Sequence, residues 1–184
     1  MSITIDYFFN YDRSLPQLAE EINLQMGCLL TPYQRSRDDY FCRLLGMEFD
    51  LDTHTLINDG ELDFETYRFQ IGIRTAFPEA DFRPIQLSVM ACAVYALHLR
   101  LGITGILVFD VQRLLARYHV KPGPNQESYL FDEVSNEFVQ FPKHINDLMT
   151  RMPHNSLGPA WEEPTIKLLE SEGKRIEIPG KNNV

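Results

Sequence analysis

The sequence predicts an α+β protein: a mostly antiparallel sheet with helices packed on one face, followed by a proline-rich C-terminal extension. Three observations predict it. Short apolar or alternating stretches of strand length recur between turn residues along most of the chain. Helical spacing with cap signals at its ends is confined to a few stretches. The composition also changes at residue 120: ten arginines and no lysine come before it, five lysines and two arginines after it, and seven of the eleven prolines lie beyond it. These shifts place a core at 1–120, a hairpin with a short helix at 121–152, and an extended tail at 153–184.

The elements follow in order. Ile3 to Phe9 alternates as a strand. Ser14 with Gln17 three residues on is a capping signal for a helix that turns Leu15, Leu18, Ile22 and Met26 inward and stops at Gly27. Cys28-Leu29-Leu30 and Tyr40 to Leu45 read as short strands. Asn58-Asp59-Gly60 suits a three-residue hairpin loop, which fixes a register: Leu51 faces Tyr67, Phe49 faces Phe69 and Met47 faces Ile71 on one side. On the other side Asp52 faces Thr66, Asp50 faces Arg68 and Glu48 faces Gln70.

Pro84 suits the first position of a helix running to Leu101, with Gly102 as its stop. Its uncharged middle, Ser88 to Leu97, makes it a core helix; it is too short and too interrupted by His98 and Arg100 to cross a bilayer. Ile103 to Phe109 is apolar on both faces and reads as a central strand. Asp110 is placed to cap a helix through Tyr118, with Val111, Leu114, Leu115 and Tyr118 on one stripe. In the extension, Tyr129-Leu130-Phe131 and Glu137-Phe138-Val139 form a hairpin around Ser135-Asn136, and Pro142 to Met149 a short helix. Trp161 is the one tryptophan and the natural pin for the tail.

At 184 residues and 44% hydrophobic content the chain can bury a full core without a metal or disulfide staple. Its three cysteines, Cys28, Cys42 and Cys92, form no close pair, so neither a disulfide framework nor the usual zinc cluster is expected. Cys92 reads as core packing, whereas Cys42 on an alternating strand is expected to be partly exposed. The opening residues lack a basic region followed by an apolar run, which gives the expectation of a cytoplasmic protein. A net charge of −9 argues against nucleic acid and anionic membranes as partners and is compatible with steering toward a basic one, although such acidity often only keeps a protein soluble.

No nucleophile elbow, phosphate-binding loop or dinucleotide fingerprint is present, and no cofactor is implied. Strand spacing puts Asp50, Asp52 and His54 on one face, the donor types of a divalent-metal hydrolase site; the competing reading pairs Asp50 with Arg68 across the hairpin. Arg74 and Arg83, the latter just before the Pro84 helix, could hold a small anion, unless Glu79 and Asp81 neutralise them. Asn58 to Glu61 is acidic but lacks the ligand spacing of a calcium loop. His98, on the buried helix, reads as a hydrogen-bonded core or edge histidine.

The layout resembles that of small immunity proteins from bacterial polymorphic-toxin systems. The resembling parts are the Phe49 to Arg74 hairpin, Arg83-Pro84-Ile85-Gln86-Leu87 opening an apolar helix, Gly105 to Gln112, and the Phe131-Asp132 to Phe141-Pro142 hairpin with the helix after it; together they span about two-thirds of the chain. The resemblance implies a cytoplasmic, non-catalytic protein that binds and blocks one toxin domain, and it carries over no functional residue. The acidity suits a basic toxin. On this reading Asp50, Asp52, Glu61 and Asp63 are the candidate partner-binding residues, steering encounter from an open hairpin face.

Overall fold

The first strand of the chain lies at the middle of the sheet. The computed structural model describes residues 4–26, 30–33, 39–44, 47–54, 62–75, 86–87, 90, 93–94, 97–98, 101–119, 129–140, 148 and 151. Nine strands form one sheet: β1 (Thr4–Phe9), β2 (Thr31–Pro32), β3 (Asp39–Leu44), β4 (Met47–Thr53), β5 (Phe69–Thr75), β6 (Gly105–Phe109), β7 (Arg113–Tyr118), β8 (Tyr129–Asp132) and β9 (Glu137–Gln140). Their order is β2-β3-β4-β5-β1-β6-β7-β8-β9, two meanders joined through β1, and every described pairing is antiparallel. The expected antiparallel α+β layout is therefore present, with β1 and β6 as inner strands.

Parity decides what each strand offers to each side. Ile5, Tyr7 and Phe9 of β1, Phe49 and Leu51 of β4, and Ile71 and Ile73 of β5 face one side and belong to the principal core. Helix α1 (Leu15–Met26) covers it with Leu15, Leu18, Ala19 and Ile22, the i, i+3, i+4, i+7 stripe of an amphipathic helix, while Leu24 stays exposed. Burying each large side chain of this stripe contributes roughly 1.5–3 kcal/mol. The Gln17 side-chain oxygen accepts from both the Ser14 backbone N–H and the Ser14 hydroxyl, so the capping signal is used.

A second helix covers the same face. Residues 86, 87, 90, 93, 94, 97, 98 and 101 are helical, and Leu87, Met90, Ala93, Val94 and Leu97 are fully buried in the principal core. Gly102 takes a φ of 65°, the left-handed stop expected of it, and Ile103 N–H reaches back to the Leu97 carbonyl at 3.2 Å. His98 is buried with its Nδ1 at 3.1 Å from the Ile103 carbonyl, as a core histidine should be. Among the described residues no helix is long and apolar enough to cross a membrane. Pro84, the proposed loop 58–60, Cys28, Leu29, Gly27, Cys92 and the tail with Trp161 lie outside the described residues.

Several expectations need correction. The β4–β5 register differs from that of a three-residue hairpin by four positions: Leu51 pairs with Ile71, Phe49 with Ile73, Asp50 with Gly72 and Glu48 with Arg74. The ladder ends at the Thr53–Phe69 pair, and a 3-10 turn at Phe64–Thr66 stands before β5 where the three-residue hairpin would have continued the pairing. Phe64 is drawn beneath Phe8, with ring centroids 4.6 Å apart. Because four is even, Phe49, Leu51, Phe69 and Ile71 keep their predicted face, but Tyr67, expected beside them, precedes β5 and packs with Phe8 and Phe64 on the opposite side. The early strand is Thr31–Pro32, with Leu30 buried just before it. Cys42 is buried rather than partly exposed, since it stands opposite Phe49 on the helix-covered side.

The segment after Asp110 is strand β7, not a helix. Phe109 to Gln112 is a tight turn closed by Gln112 N–H to the Phe109 carbonyl at 3.1 Å, with Asp110 and Val111 at φ 51° and 57°. Beyond it the pairing shifts at a bulge, so that Leu115 and Ala116 are both buried. The bulge breaks the alternation and mimics helical spacing. Two consecutive left-handed residues define a type I′ turn, which favours glycine and disfavours a β-branched residue. Val111→Gly is accordingly expected to raise stability by about 1 kcal/mol in urea unfolding, the left-handed penalty of valine outweighing its partial packing.

The β8–β9 hairpin turns at Glu133 to Asn136 with Asn136 at φ 55°, where the sequence places it. Tyr118 of β7 pairs with Asp132 of β8, so strands on both sides of residue 120 share one sheet. Leu148 is fully buried in the principal core, and Arg151 Nη1 donates to the Leu115 carbonyl at 2.5 Å.

Candidate functional site

The side of the sheet away from the helices has two parts. Over β1 and β6, Phe8, Ile106 and Val108 form a small apolar cluster roofed by Phe64. Over β3, β4 and β5 lies a concavity of about 350 Å³. Its floor is acidic: Asp39, Glu48, Asp50 and Asp52 line it, with Arg43 and Arg74 toward one end and the rings of Tyr33 and Phe41 on the β2–β3 side.

Strand register arranges these groups in three transverse rows. Arg43, Glu48 and Arg74 succeed one another across β3, β4 and β5. Glu48 bridges both arginines, at 3.2 Å to Arg43 and 2.8 Å to Arg74, and Arg74 also reaches Asp50 at 3.5 Å. The next row runs Phe41, Asp50, Gly72 and Asp6. Asp6 is 2% exposed and accepts from Thr4 Oγ1 and Gln70 Nε2, both at 2.8 Å. A Cβ at Gly72 would sit 3.0 Å from Asp6 Oδ1, so the glycine gives that carboxylate its room.

The third row sets Asp39 directly across from Asp52, with Gln70 beyond. Like charges directly opposed on one face of a ladder repel. The Gln70 amide is turned to Asp6, and Asp52 Oδ1 is buried with no hydrogen-bond partner among the described residues. Burial pushes the Asp52 carboxyl up to about 6, and Asp39, Asp50 and Asp6 push it the same way. Asp50 is also raised, first by burial and then by Glu48 and Asp39, against the lowering effect of Arg74. Asp6 is raised by burial, opposed by its bonds from Thr4 and Gln70.

The structure separates the residues that the sequence groups together. Asp50 and Asp52 do share the groove, but His54, on the same strand face, closes on the Tyr67 carbonyl through Nε2 and stands edge-on to Phe8 at 5.4 Å. Among the described residues no three histidine, cysteine, aspartate or glutamate side chains are arranged to hold a metal ion. The ion pair expected between Asp50 and Arg68 is made by Arg74 instead, while the Arg68 guanidinium lies over the Phe69 ring at 4.9 Å. Arg74, a candidate anion ligand, is thus engaged by two carboxylates. Arg83, Asp81, Glu79 and Glu61 lie outside the described residues, and Asp63 is exposed before the 3-10 turn and does not line the groove.

Asp6, Asp39, Tyr33 and Phe41 were not singled out by sequence reasoning. One signal was available for Asp6: it is the single charged residue in an otherwise apolar and aromatic strand, Ile5 to Phe9. The others reach the groove through pairings between strands that the sequence does not specify. Comparison with protein-family models, with curated proteins and with solved structures finds no match to this chain.

Proposed function

We propose that this chain is a non-catalytic protein-binding protein that receives a basic partner on its open sheet face. The partner is a toxin domain, antagonised as small immunity proteins antagonise theirs. The observation that carries this reading is the acidic groove itself: a concavity of about 350 Å³ in which the buried Asp52 oxygen lacks a partner among the described residues and Asp52 stands opposite Asp39 on the ladder. A guanidinium or ammonium group from a partner would satisfy that oxygen and offset the repulsion. Tyr33 and Phe41 on the rim supply flat apolar surface for the stem of such a side chain. The net charge of −9 supports long-range attraction of the same kind of partner.

The two alternatives have less support. A hydrolase built on Asp50, Asp52 and His54 needs the imidazole beside the carboxylates, and it is held at Tyr67. A small-anion site at Arg74 would have to displace Glu48 and Asp50.

The test is capture from the native host with two baits, the wild-type chain and the Asp52→Lys/Asp63→Lys double variant, each checked for native folding. A basic protein retained by the first and lost by the second is expected, its association slowed about tenfold or more at low salt. Identical captured proteins, or an association rate indifferent to charge reversal and to salt, would overturn the proposal.

A further inference from the structure

The opposition of Asp39 and Asp52 has a consequence for the free chain, whatever binds it. These two carboxylates occupy facing positions on β3 and β4, on the side of the sheet away from the described helices. Among the described residues, none of the charged groups around Asp52 neutralises it. On β3, Arg43 is engaged by Glu48, and on β4 itself Glu48 and Asp50 hold Arg74 between them. His54 is turned to Tyr67, Gln70 of β5 donates to Asp6 of β1, and Tyr33 lies at the groove wall.

We propose that Asp52 is a built-in proton switch: it holds a proton at mildly acidic pH beside Asp39, and releases it toward neutrality, which charges the groove and loosens the β2–β3 edge of the sheet. That edge is the weak side of the meander. Among the described residues β3 has only the two-residue β2 beyond it, joined by pairs at Thr31–Phe41 and Pro32–Tyr40 and by Tyr33 N–H to the Asp39 carbonyl at 2.9 Å. A second negative charge opposite Asp39 therefore acts beside a short edge, where the described bonds between β2 and β3 are few.

The sign follows from the direction of the shift. The Asp52 carboxyl stands at about 6 in the folded chain, against an ordinary aspartate value of 3.8. Protonation thus favours the folded state. The stabilisation is complete below the ordinary value and is lost as the pH rises through about 6. Acidic groove and proton switch are one set of residues, yet the switch needs no partner, so the two proposals fail separately.

Carbon-13 carboxyl titration of the full-length chain tests it. Asp52 is expected to titrate at least one pH unit above the ordinary aspartate value of 3.8, and Asp39→Asn to bring it down toward that value. Titration of Asp52 at the ordinary value in the wild type, or an unmoved Asp52 midpoint in Asp39→Asn, overturns the proposal. Should Asp39→Asn fail to fold, urea unfolding at pH 5 and pH 7 decides between the wild type and Asp52→Asn. The wild type is expected to show the higher midpoint at pH 5 and the variant to lose that gain; an equal gain in both overturns it.

Discussion

Gly105→Ala is expected to cost about 3 kcal/mol of stability, at the upper end of what overpacking produces. Gly105 opens β6 and pairs with Phe9 of β1 on one side and Tyr118 of β7 on the other. A Cβ there would lie 2.1 Å from the Phe8 carbonyl oxygen, 2.9 Å from Phe9 Cβ and 3.0 Å from Tyr7 Cε2. The first of these is main chain in the central strand, which cannot swing aside without opening the β1–β6 ladder. With typical domains stable by only about 5–15 kcal/mol, the loss is a large share of the total. Gly72→Ala is the internal control, because its nearest atom is Asp6 Oδ1 at 3.0 Å, the tip of a side chain. Urea unfolding should rank Gly105→Ala far below Gly72→Ala; equal midpoints would mean that β1 and β6 approach less closely than described.

Hydrophobic parity was legible, and exact pairing was not. In β4 and β5 the apolar residues recur at every second position, Phe49 and Leu51 on one strand and Phe69, Ile71 and Ile73 on the other. Such a pattern is unchanged by a slide of two or four, so it selects faces and leaves the register to the connection. That connection turned on Phe64 seating itself under Phe8, a contact 56 positions apart that no local rule contains. The helix predicted after Asp110 failed for a related reason: the bulge at Leu115 puts apolar residues at 111, 114, 115 and 118, a spacing shared by one helix face. The site was legible only along β4. Asp50 and Asp52 could be placed on one face from their spacing, but Asp39 and Asp6 join them through β3 and through the β5–β1 pairing, which depends on the order of strands in the sheet.

Phe8→Ala is expected to cost about 4 kcal/mol, within the range for emptying a buried phenylalanine site. Phe8 is fully buried although it sits on the side of the sheet away from the described helices. Ile106 and Val108 flank it, and Phe64 covers it from a short 3-10 turn held by Phe64 N–H to the Leu62 carbonyl and Tyr67 N–H to the Phe64 carbonyl, both at 3.0 Å, and tied to the chain after β1 by Asn10 Nδ2 donating to the Thr66 carbonyl at 2.7 Å. Removing the ring takes away the seat of Phe64 and the face against which His54 stands. The damage should therefore be local as well as global. Amide exchange at Tyr67 is expected to accelerate more than exchange in the β1–β5 ladder, while the Asp52 titration, governed by burial and by Asp39 and Asp50 ahead of Asp6 on β1, stays where it was. A loss under about 1 kcal/mol, with Tyr67 still protected, would show that the roof holds without its anchor. A shifted Asp52 midpoint would show instead that the apolar cluster and the acidic groove, neighbours on one face, are mechanically coupled.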